Sequence, residues 1–235
     1  MPIPRIIHQI WIGPRPAPTA WMDTWPGLNP DLEHRVWDDA AIASFGLANV
    51  QLYSRYIQAE LYDGAVDVAR IEILHRLGGV YVDADSIALR PIADASFMRA
   101  GFFAAWEPPD GRKPAVTGSL LVSNAFIGAG PGHPTLATMI ERHARVTELK
   151  PMWRQTGPGA LTEVLAGCRE DDVVLLPAWT FFTRSLTGQP VVGGEPFAEH
   201  LWSTTAERWG CAGARSYPGK AEGVRYPPAS GRFHR

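Results

Sequence analysis

Two aspartates directly follow an apolar stretch near the middle of the chain. Residues 80–82 (VYV) lead into Asp83 and Asp85. If the backbone stays extended, carboxylates two residues apart lie on one face of a strand, where two like charges beside a buried sheet are costly. A Mg²⁺ or Mn²⁺ ion would neutralise them, because hard cations prefer carboxylate oxygens. A solvated turn, in which aspartate is common, explains the same residues and stays open.

A second polar pair lies just upstream, in a segment with helical periodicity. Asp67 and Arg70 are three residues apart and therefore share one helix face. Arginine donates bidentate hydrogen bonds to phosphate, and an aspartate beside it can accept hydrogen bonds from sugar hydroxyls. A surface ion pair is the alternative. The other polar residues of the segment lie mostly off its apolar stripe, and we expect a solvated face: Glu72, His75 and Arg76.

The elements that must position these residues form one compact unit. Apolar residues at three-to-four spacing predict a helix over 63–77, with Asp63 as N-cap and residues 78–79 (GG) as its end. A strand over 79–83 follows at once. Helix and strand joined by a tight glycine turn indicate an α/β fold, in which ligands bind at the carboxyl ends of the strands.

The rest of the sequence predicts further strands and helices. Residues 107–118 are rich in proline and predict an exposed flap, and the apolar segment 173–176 predicts a buried strand. Strands are predicted at 5–12, 34–37, 79–83, 86–89, 101–106, 119–127 and 173–176. Helices are predicted at 39–45, 50–60, 63–77, 133–146 and 159–165, the first capped by Asp38 or Asp39.

Composition places the chain among soluble globular proteins. It has 235 residues, 46% of them hydrophobic, and a net charge of −2 from 22 Lys+Arg against 24 Asp+Glu. This charge argues against a general nucleic-acid binder, which needs a strongly basic face, and leaves a local basic patch open. Cys168 and Cys211 are too few for a disulfide scaffold and are not spaced as metal ligands. No signal peptide and no apolar run near the roughly 20 residues of a membrane helix is visible, so we expect a cytoplasmic protein.

The last residues differ from the rest of the chain. Residues 215–235 are rich in glycine and proline and carry five basic residues against Glu222. We therefore divide the chain into a domain over 1–214 and a basic, loosely ordered tail over 215–235. Such a tail can make weak peripheral contact with an anionic membrane, where lipid-linked acceptors reside, although a solvated tail explains it as well.

Four blocks of the sequence together resemble a known family. They are residues 3–13 (IPRIIHQIWIG), 67–85 (DVARIEILHRLGGVYVDAD), 124–134 (NAFIGAGPGHP) and 156–158 (TGP), and they span about two thirds of the chain. They resemble the sugar transferases with the DXD sugar-binding region (glycosyltransferase family 32-like), which include capsular-polysaccharide and initiating α-mannosyltransferases. The glucosylating domains of clostridial toxins are more distant relatives.

The resemblance implies a fold and a reaction. The fold is of GT-A type, a single α/β domain with a central mixed β-sheet flanked by helices. The reaction is a metal-dependent, retaining transfer of a hexose from a nucleotide-sugar to a glycan, lipid-linked or other hydroxyl acceptor, as in polysaccharide biosynthesis. A UDP-sugar is favoured as donor, because Trp11 suits uracil, and GDP-mannose stays open. The metal is Mn²⁺ or Mg²⁺.

The resemblance also implies roles for individual residues. Catalysis falls to Arg70, Asp83 and Asp85, where the cation and the guanidinium stabilise charge that develops on the nucleoside diphosphate leaving group. No clear nucleophile is present, which favours front-face attack by the acceptor hydroxyl. The binding roles are: Trp11 stacks on the base, Asp67 and Arg70 hold the donor sugar, Tyr81 and Asp83 contact the ribose or sugar, Asp85 binds the metal, and Asn124 lines the donor pocket.

The match is weaker near residue 200. Relatives carry a histidine-containing segment that ends in Ser-Trp and closes over the donor. In residues 199–206 (EHLWSTTA), His200 and Trp202 fit this segment, but Thr205 and Ala206 stand where Ser-Trp is expected. We therefore predict His200 as a second metal ligand and Trp202 as a substrate-binding residue, with an ordinary exposed histidine as the alternative at position 200.

Two other functions remain open. A phosphatase of the haloacid-dehalogenase type also ends an apolar strand in Asp-x-Asp, and Lys150 with residues 171–172 (DD) are candidates for its remaining groups. However, Ile87 stands where that class has threonine or valine. A catalytically inactive nucleotide-sugar-binding relative is the third reading, because a fold does not guarantee activity.

Overall fold

A six-stranded mixed sheet forms the centre of the structure, a computed structural model that describes residues 2–109, 120–168 and 172–203. The strand order is β2-β1-β3-β6-β5-β7, and β6 runs against the other five strands. The carboxyl ends of β1, β3, β5 and β7 therefore share one edge. The strands are β1 (Ile6–Ile10), β2 (Glu33–Trp37), β3 (Gly79–Val82), β5 (Phe102–Trp106), β6 (Val122–Ala129) and β7 (Val173–Leu176).

A second, two-stranded sheet lies beyond this edge. Its antiparallel strands are β4 (Ser86–Ala88) and β8 (Ala198–His200). The helices are α1 (Thr19–Met22), α2 (Thr24–Leu28), α3 (Asp39–Phe45), α4 (Val50–Gln58), α5 (Tyr62–Leu77), α6 (Pro134–Ala144), α7 (Met152–Gln155) and α8 (Pro158–Ala166). Two short 3₁₀ helices cover Ser96–Arg99 and Ala178–Thr180.

Alternate residues of the central strands fill two separate apolar cores. In β5, Phe102 and Ala104 belong to one core, whereas Phe103 and Ala105 belong to the other. This period of two is expected for a sheet buried on both faces. The predicted α/β architecture, a mixed sheet flanked by helices, is confirmed. None of the helices in the described part of the chain is long and apolar enough to cross a membrane.

Helix α5 is the element that carries the polar pair into the core. It is buried on nearly all sides, not along one stripe, because it lies between the sheet and the helices α4 and α6. The predicted solvated face is therefore wrong for Glu72, which is buried and accepts hydrogen bonds from the backbone N–H groups of Ala48 and Asn49 at the start of α4. The N-cap is also corrected: it is Leu61, and Asp63 lies in the first turn.

The glycine turn between α5 and β3 has the predicted form. Gly78 ends the helix at φ 64°, and Gly79 follows at φ 103°. A Cβ on Gly79 would lie 2.8 Å from the carbonyl oxygen of Ile6 and 2.9 Å from His8 Nε2. The two glycines are therefore required for the left-handed turn and for the close approach of β3 to β1.

Several other boundaries and exposures differ from the prediction. β6 begins and ends later than predicted, and β7 is an edge strand on which Val174 is 38% exposed, so its predicted burial is wrong. The short elements α1, α2, α7 and β8 were not predicted, because a helix of four or five residues makes little more than one turn and β8 (AEH) lacks the apolar residues that indicate a strand. Most of the predicted flap (residues 110–118 of 107–118) and the whole tail (215–235) lie outside the described residues.

The buried side chain of His8 should make the stability of the protein depend on pH. Its Nδ1 accepts a hydrogen bond from Trp37 Nε1 at 3.1 Å, so neutral His8 carries its proton on Nε2, 2.9 Å from the carbonyl oxygen of Gly78. Burial lowers the pKa of His8 to about 4, against the opposing effect of the Gly78 hydrogen bond. The unfolded chain therefore takes up the proton first, and stability present above pH 6.5 is lost as the pH falls toward 4.

We expect the variant His8→Gln to lack this contribution. Between pH 7.5 and pH 5, the free energy of unfolding should fall by about 2 kcal/mol more in the wild type than in the variant. Urea unfolding at a series of pH values measures both. The contributions of the other histidines are the same in both proteins and cancel in the difference. If the free energy of unfolding falls equally with pH in both proteins, His8 does not have the lowered pKa.

Candidate functional site

Strand β3 delivers the first aspartate to the carboxyl edge of the sheet. Asp83 directly follows β3, and its backbone N–H still donates to the carbonyl oxygen of Ala125 on β6. Its Oδ1 accepts hydrogen bonds from Arg70 Nη1 at 3.0 Å and from the Tyr81 hydroxyl at 2.8 Å. Its Oδ2 lies 3.1 Å from His200 Nε2. Burial opposes ionisation, but Arg70 and His200 together lower the pKa of Asp83, which is therefore a carboxylate at neutral pH.

The second aspartate is held from the other side. Asp85 is buried, and its Oδ2 accepts hydrogen bonds from both the backbone N–H and the hydroxyl of Ser203, each at 3.0 Å. Its Oδ1 lies 3.4 Å from His200 Nε2. Burial raises the pKa of Asp85, with His200 acting in the opposite direction. In each aspartate, one oxygen is bound by protein donors other than His200 and the other faces this histidine.

His200 lies between Asp83 Oδ2 and Asp85 Oδ1 because β8 pairs with β4. This register places His200 opposite Ser86, one residue after Asp85. The Trp202 backbone N–H donates to His200 Nδ1 at 3.2 Å, which leaves the proton of a neutral imidazole on Nε2, toward the carboxylates. Burial lowers the pKa of His200, but Asp85 and Asp83 outweigh it and raise the pKa. The alternative of an exposed histidine is wrong.

Trp202 closes this side of the site. Its ring centroid lies 4.5 Å from that of His200 and 5.3 Å from that of Phe182, on which it stacks. Its indole N–H donates to the carbonyl oxygen of Arg184 at 2.9 Å. The backbone of Trp202 has φ 56°, the left-handed region that non-glycine residues rarely adopt, and its ring contacts hold it there.

The donor set fits a hard divalent cation. One ligand atom each from Asp83, Asp85 and His200 lies within 4.8 Å of the others. The two carboxylate oxygens that face His200 are hard ligands of the kind that Mg²⁺ or Mn²⁺ prefers. His200 can join them through Nε2 only after that nitrogen has lost its proton, since metal ligands must be deprotonated. Asp83 and Asp85 would therefore hold the ion first.

A second buried cluster adjoins the first through Arg70. Asp67 Oδ1 accepts a hydrogen bond from Asn124 Nδ2 at 2.7 Å and lies 3.2 Å from Arg70 Nη2, while its Oδ2 accepts from the Thr156 hydroxyl at 3.1 Å. Arg70 Nη1 also donates to the Asn124 carbonyl oxygen, and the guanidinium lies 4.4 Å from the Tyr81 ring centroid. Burial raises the pKa of Asp67 to about 6 against the effect of Arg70.

The predicted site residues mostly converge. The surface ion pair is excluded for Asp67 and Arg70, because both are buried. Trp11 lies just after β1, at the same sheet edge as Asp83, and its indole N–H donates to the Arg15 carbonyl oxygen at 2.7 Å. Base stacking by Trp11 stays a prediction. The structure brings together Asp67, Arg70, Tyr81, Asp83, Asp85, Asn124, His200 and Trp202.

Two residues of the site were missed. Ser203 directly follows Trp202, whereas the family resemblance places the serine of this block two positions later, where Thr205 stands. Thr156 belongs to a quoted sequence block, although no role was assigned to it. Ser203 contacts Asp85, 118 residues away in the chain, and Thr156 contacts Asp67, 89 residues away. The spacing of residues within a short segment cannot predict contacts at such separations.

The phosphatase reading loses its supporting residues. Lys150 is exposed, and Asp172 precedes β7, where its Oδ1 lies 3.4 Å from His133 Nε2. Because β7 is parallel to β5 and hence to β3, Asp172 lies at the amino edge of the sheet, opposite Asp83. The described residues therefore do not assemble the lysine and the downstream acidic group beside the aspartate pair.

Comparison with known proteins agrees with the resemblance seen in the sequence. The family described as "Glycosyltransferase sugar-binding region containing DXD motif" matches residues 19–102. An uncharacterised glycosyltransferase of Acanthamoeba polyphaga mimivirus is 32% identical over 142 residues, which cover 56% of this chain and 52% of that protein. Inositol phosphoceramide mannosyltransferase 1 of Schizosaccharomyces pombe is 29% identical over 168 residues, covering 66% of this chain and 49% of the relative.

The fold agrees with a solved structure as well. The UDP-bound glycosyltransferase domain of the YGT toxin superposes with a TM-score of 0.53 at 11% identity, covering 74% of this chain and 79% of that domain. The predicted GT-A type of α/β fold is confirmed. The chain spans about half the length of the curated relatives it matches.

Proposed function

We propose that this chain, which carries the sugar-binding region of the DXD glycosyltransferases, transfers a hexose from a nucleotide-sugar to a hydroxyl acceptor. The observation that carries the proposal is that Asp83 Oδ2 and Asp85 Oδ1, both inside the matched region, approach the same atom, His200 Nε2, at the carboxyl edge of the sheet. Ligands of open α/β sheets bind at this edge.

The residues around that point suit a nucleoside diphosphate. When bound, a Mg²⁺ or Mn²⁺ ion would neutralise charge on the diphosphate. Arg70 holds Asp83 and Asp67 in fixed orientations and adds positive charge beside them. Because these groups are buried and already hydrogen-bonded, they need little rearrangement as charge develops on the leaving group. Asp67 and Asn124 supply the polar atoms that would hold the donor sugar.

The donor is proposed as a UDP-sugar, with GDP-mannose as the second choice. The fold of a UDP-bound glycosyltransferase domain and the position of Trp11 at the shared edge support UDP. The mannosyltransferase among the relatives supports mannose as the sugar. The acceptor is proposed as a glycan or lipid-linked hydroxyl. This hydroxyl attacks the donor sugar on the same face from which the nucleoside diphosphate departs.

A thermal-shift screen tests the proposal. The panel contains UDP-glucose, UDP-galactose, UDP-GlcNAc and GDP-mannose. We expect either the UDP-sugars or GDP-mannose to raise the melting temperature, and only with MnCl₂ present, because ligands that bind the folded state stabilise it. Release of the free nucleoside diphosphate then measures turnover. Binding without turnover would indicate the inactive relative, and a shift only with Mg²⁺ and a phosphate mimic would indicate a phosphatase.

A further inference from the structure

We infer that Thr156 is a positioning residue of the donor site, which it serves by fixing the carboxylate of Asp67. Thr156 is fully buried where α7 meets α8, and its hydroxyl lies 3.1 Å from Asp67 Oδ2 and 3.4 Å from the carbonyl oxygen of Met152. The shorter contact is to a charged acceptor, and such hydrogen bonds are the stronger ones. The inference rests on the proposed function, in which Asp67 holds the donor sugar.

The backbone beside Thr156 leaves no room for a side chain next to the same carboxylate oxygen. A Cβ on Gly157 would lie 3.0 Å from Asp67 Oδ2 and 3.0 Å from the Cα of Trp153. Gly157 has φ −91°, a conformation open to any residue, so the demand for glycine is steric. In this turn, Thr156 donates a hydrogen bond to Asp67, and the backbone of Gly157 limits the space beside the same carboxylate.

The turn itself is fastened to the rest of the fold. Gln155 Oε1 accepts hydrogen bonds from the Tyr56 hydroxyl at 2.8 Å and from the Lys150 backbone N–H at 3.0 Å, while its Nε2 donates to the carbonyl oxygen of Glu148. Tyr56 belongs to α4 and is fully buried. Thr156 therefore ties Asp67 to a segment that is itself fixed in place. Asp67 in turn contacts Arg70, and Arg70 contacts Asp83, so the position of Asp67 also affects the position of Asp83.

Removal of the hydroxyl should have two effects. The variant Thr156→Val has nearly the same shape, but Asp67 Oδ2 loses its donor, and the carboxylate is then held only through Oδ1 by Asn124 and Arg70. We expect donor affinity to weaken about tenfold to a hundredfold, with a smaller change in kcat at saturating donor. The variant Thr156→Ser keeps the hydroxyl and should restore most of the affinity.

The pH profile gives a second readout. The Thr156 hydrogen bond lowers the pKa of Asp67, which burial raises to about 6, so Thr156→Val should raise it further and move the acid limb of kcat/KM to higher pH. Thr156→Ser should move it back. The charged and titratable groups that act on Asp67, with its other hydrogen-bond donor, are Asp63, Arg70, Tyr56, Tyr81 and Asn124.

The experiment uses the panel donor that gives the largest shift with the wild type and MnCl₂. Calorimetry measures its affinity, and the melting temperature and circular dichroism check the fold. Thr135→Val is the matched control, a buried threonine of α6 whose hydroxyl contacts Cys168 Sγ at 3.6 Å, and it should leave donor affinity unchanged. Wild-type affinity and an unshifted pH profile in folded Thr156→Val would overturn the inference alone. Failure of the wild type to bind any donor would overturn the proposed function, and the role of Thr156 with it.

Discussion

Replacing Asp85 with asparagine should lower metal-dependent donor turnover by about a thousandfold or more while leaving the fold intact. The substitution keeps an acceptor for Ser203 but removes one of the two charged oxygens that face each other across His200. Electrostatic stabilisation by a single group in a dry site is worth about a hundredfold to a thousandfold, and loss of the cation removes more than one such contact. The rate of nucleoside diphosphate release at saturating donor and MnCl₂ measures the effect.

Asp172→Asn is the matched control for this substitution. It also removes one negative charge from the end of a strand, but at the amino edge of the sheet, where Asp172 contacts His133. We expect near wild-type turnover in this variant. Full metal-dependent activity in Asp85→Asn would refute the site, whereas equal losses in both variants would point to a nonspecific effect of charge.

Replacing Arg70 with methionine should destabilise the protein by about 3–5 kcal/mol. The guanidinium is buried and contacts the carboxylates of Asp67 and Asp83, so its removal leaves Asp67 without its cation and Asp83 with His200 alone. Breaking a buried ion pair by removing one partner has this cost, because the remaining charge stays desolvated. Urea unfolding at pH 7.5 measures the loss, and a change below about 1 kcal/mol would contradict the network.

Arg70→Lys separates stability from catalysis. Lysine keeps the charge, but a single ammonium group cannot reproduce the fork that reaches both aspartates and the Asn124 carbonyl oxygen. We expect the lysine variant to recover part of the stability lost in Arg70→Met and to turn over donor at least about a hundredfold more slowly than the wild type. A lysine variant with full activity would show that the orientation of Asp83 does not depend on the fork.

The helix–strand unit of the site could be predicted because its information is local. Helical spacing, the two glycines and the apolar strand all lie within residues 63–85, and they place Asp67, Arg70 and Asp83 without any distant contact. The burial of Glu72 could not be seen, because it depends on the start of α4, more than twenty residues away. Periodicity describes a helix in isolation and not the neighbours that cover it.

The other side of the site, formed by His200, Trp202 and Ser203, lies on a segment whose secondary structure is difficult to predict from the local sequence. β8 has three residues and pairs with β4 across more than a hundred positions, and this pairing alone sets His200 between the aspartates. The family resemblance identified His200 and Trp202, but the contact of Ser203 with Asp85 required the fold. The roles predicted for Trp11 and for the tail over 215–235 remain predictions.

The most direct test of the central claim is the position of a metal ion in a crystal grown with MnCl₂ and the selected nucleotide-sugar. Anomalous scattering from manganese identifies the ion independently of the surrounding density. We predict one peak within about 2.5 Å of both Asp83 Oδ2 and Asp85 Oδ1, adjoining the diphosphate. A donor bound at this edge with no manganese between the two aspartates, or manganese bound elsewhere with the aspartates still paired to His200, would contradict the account.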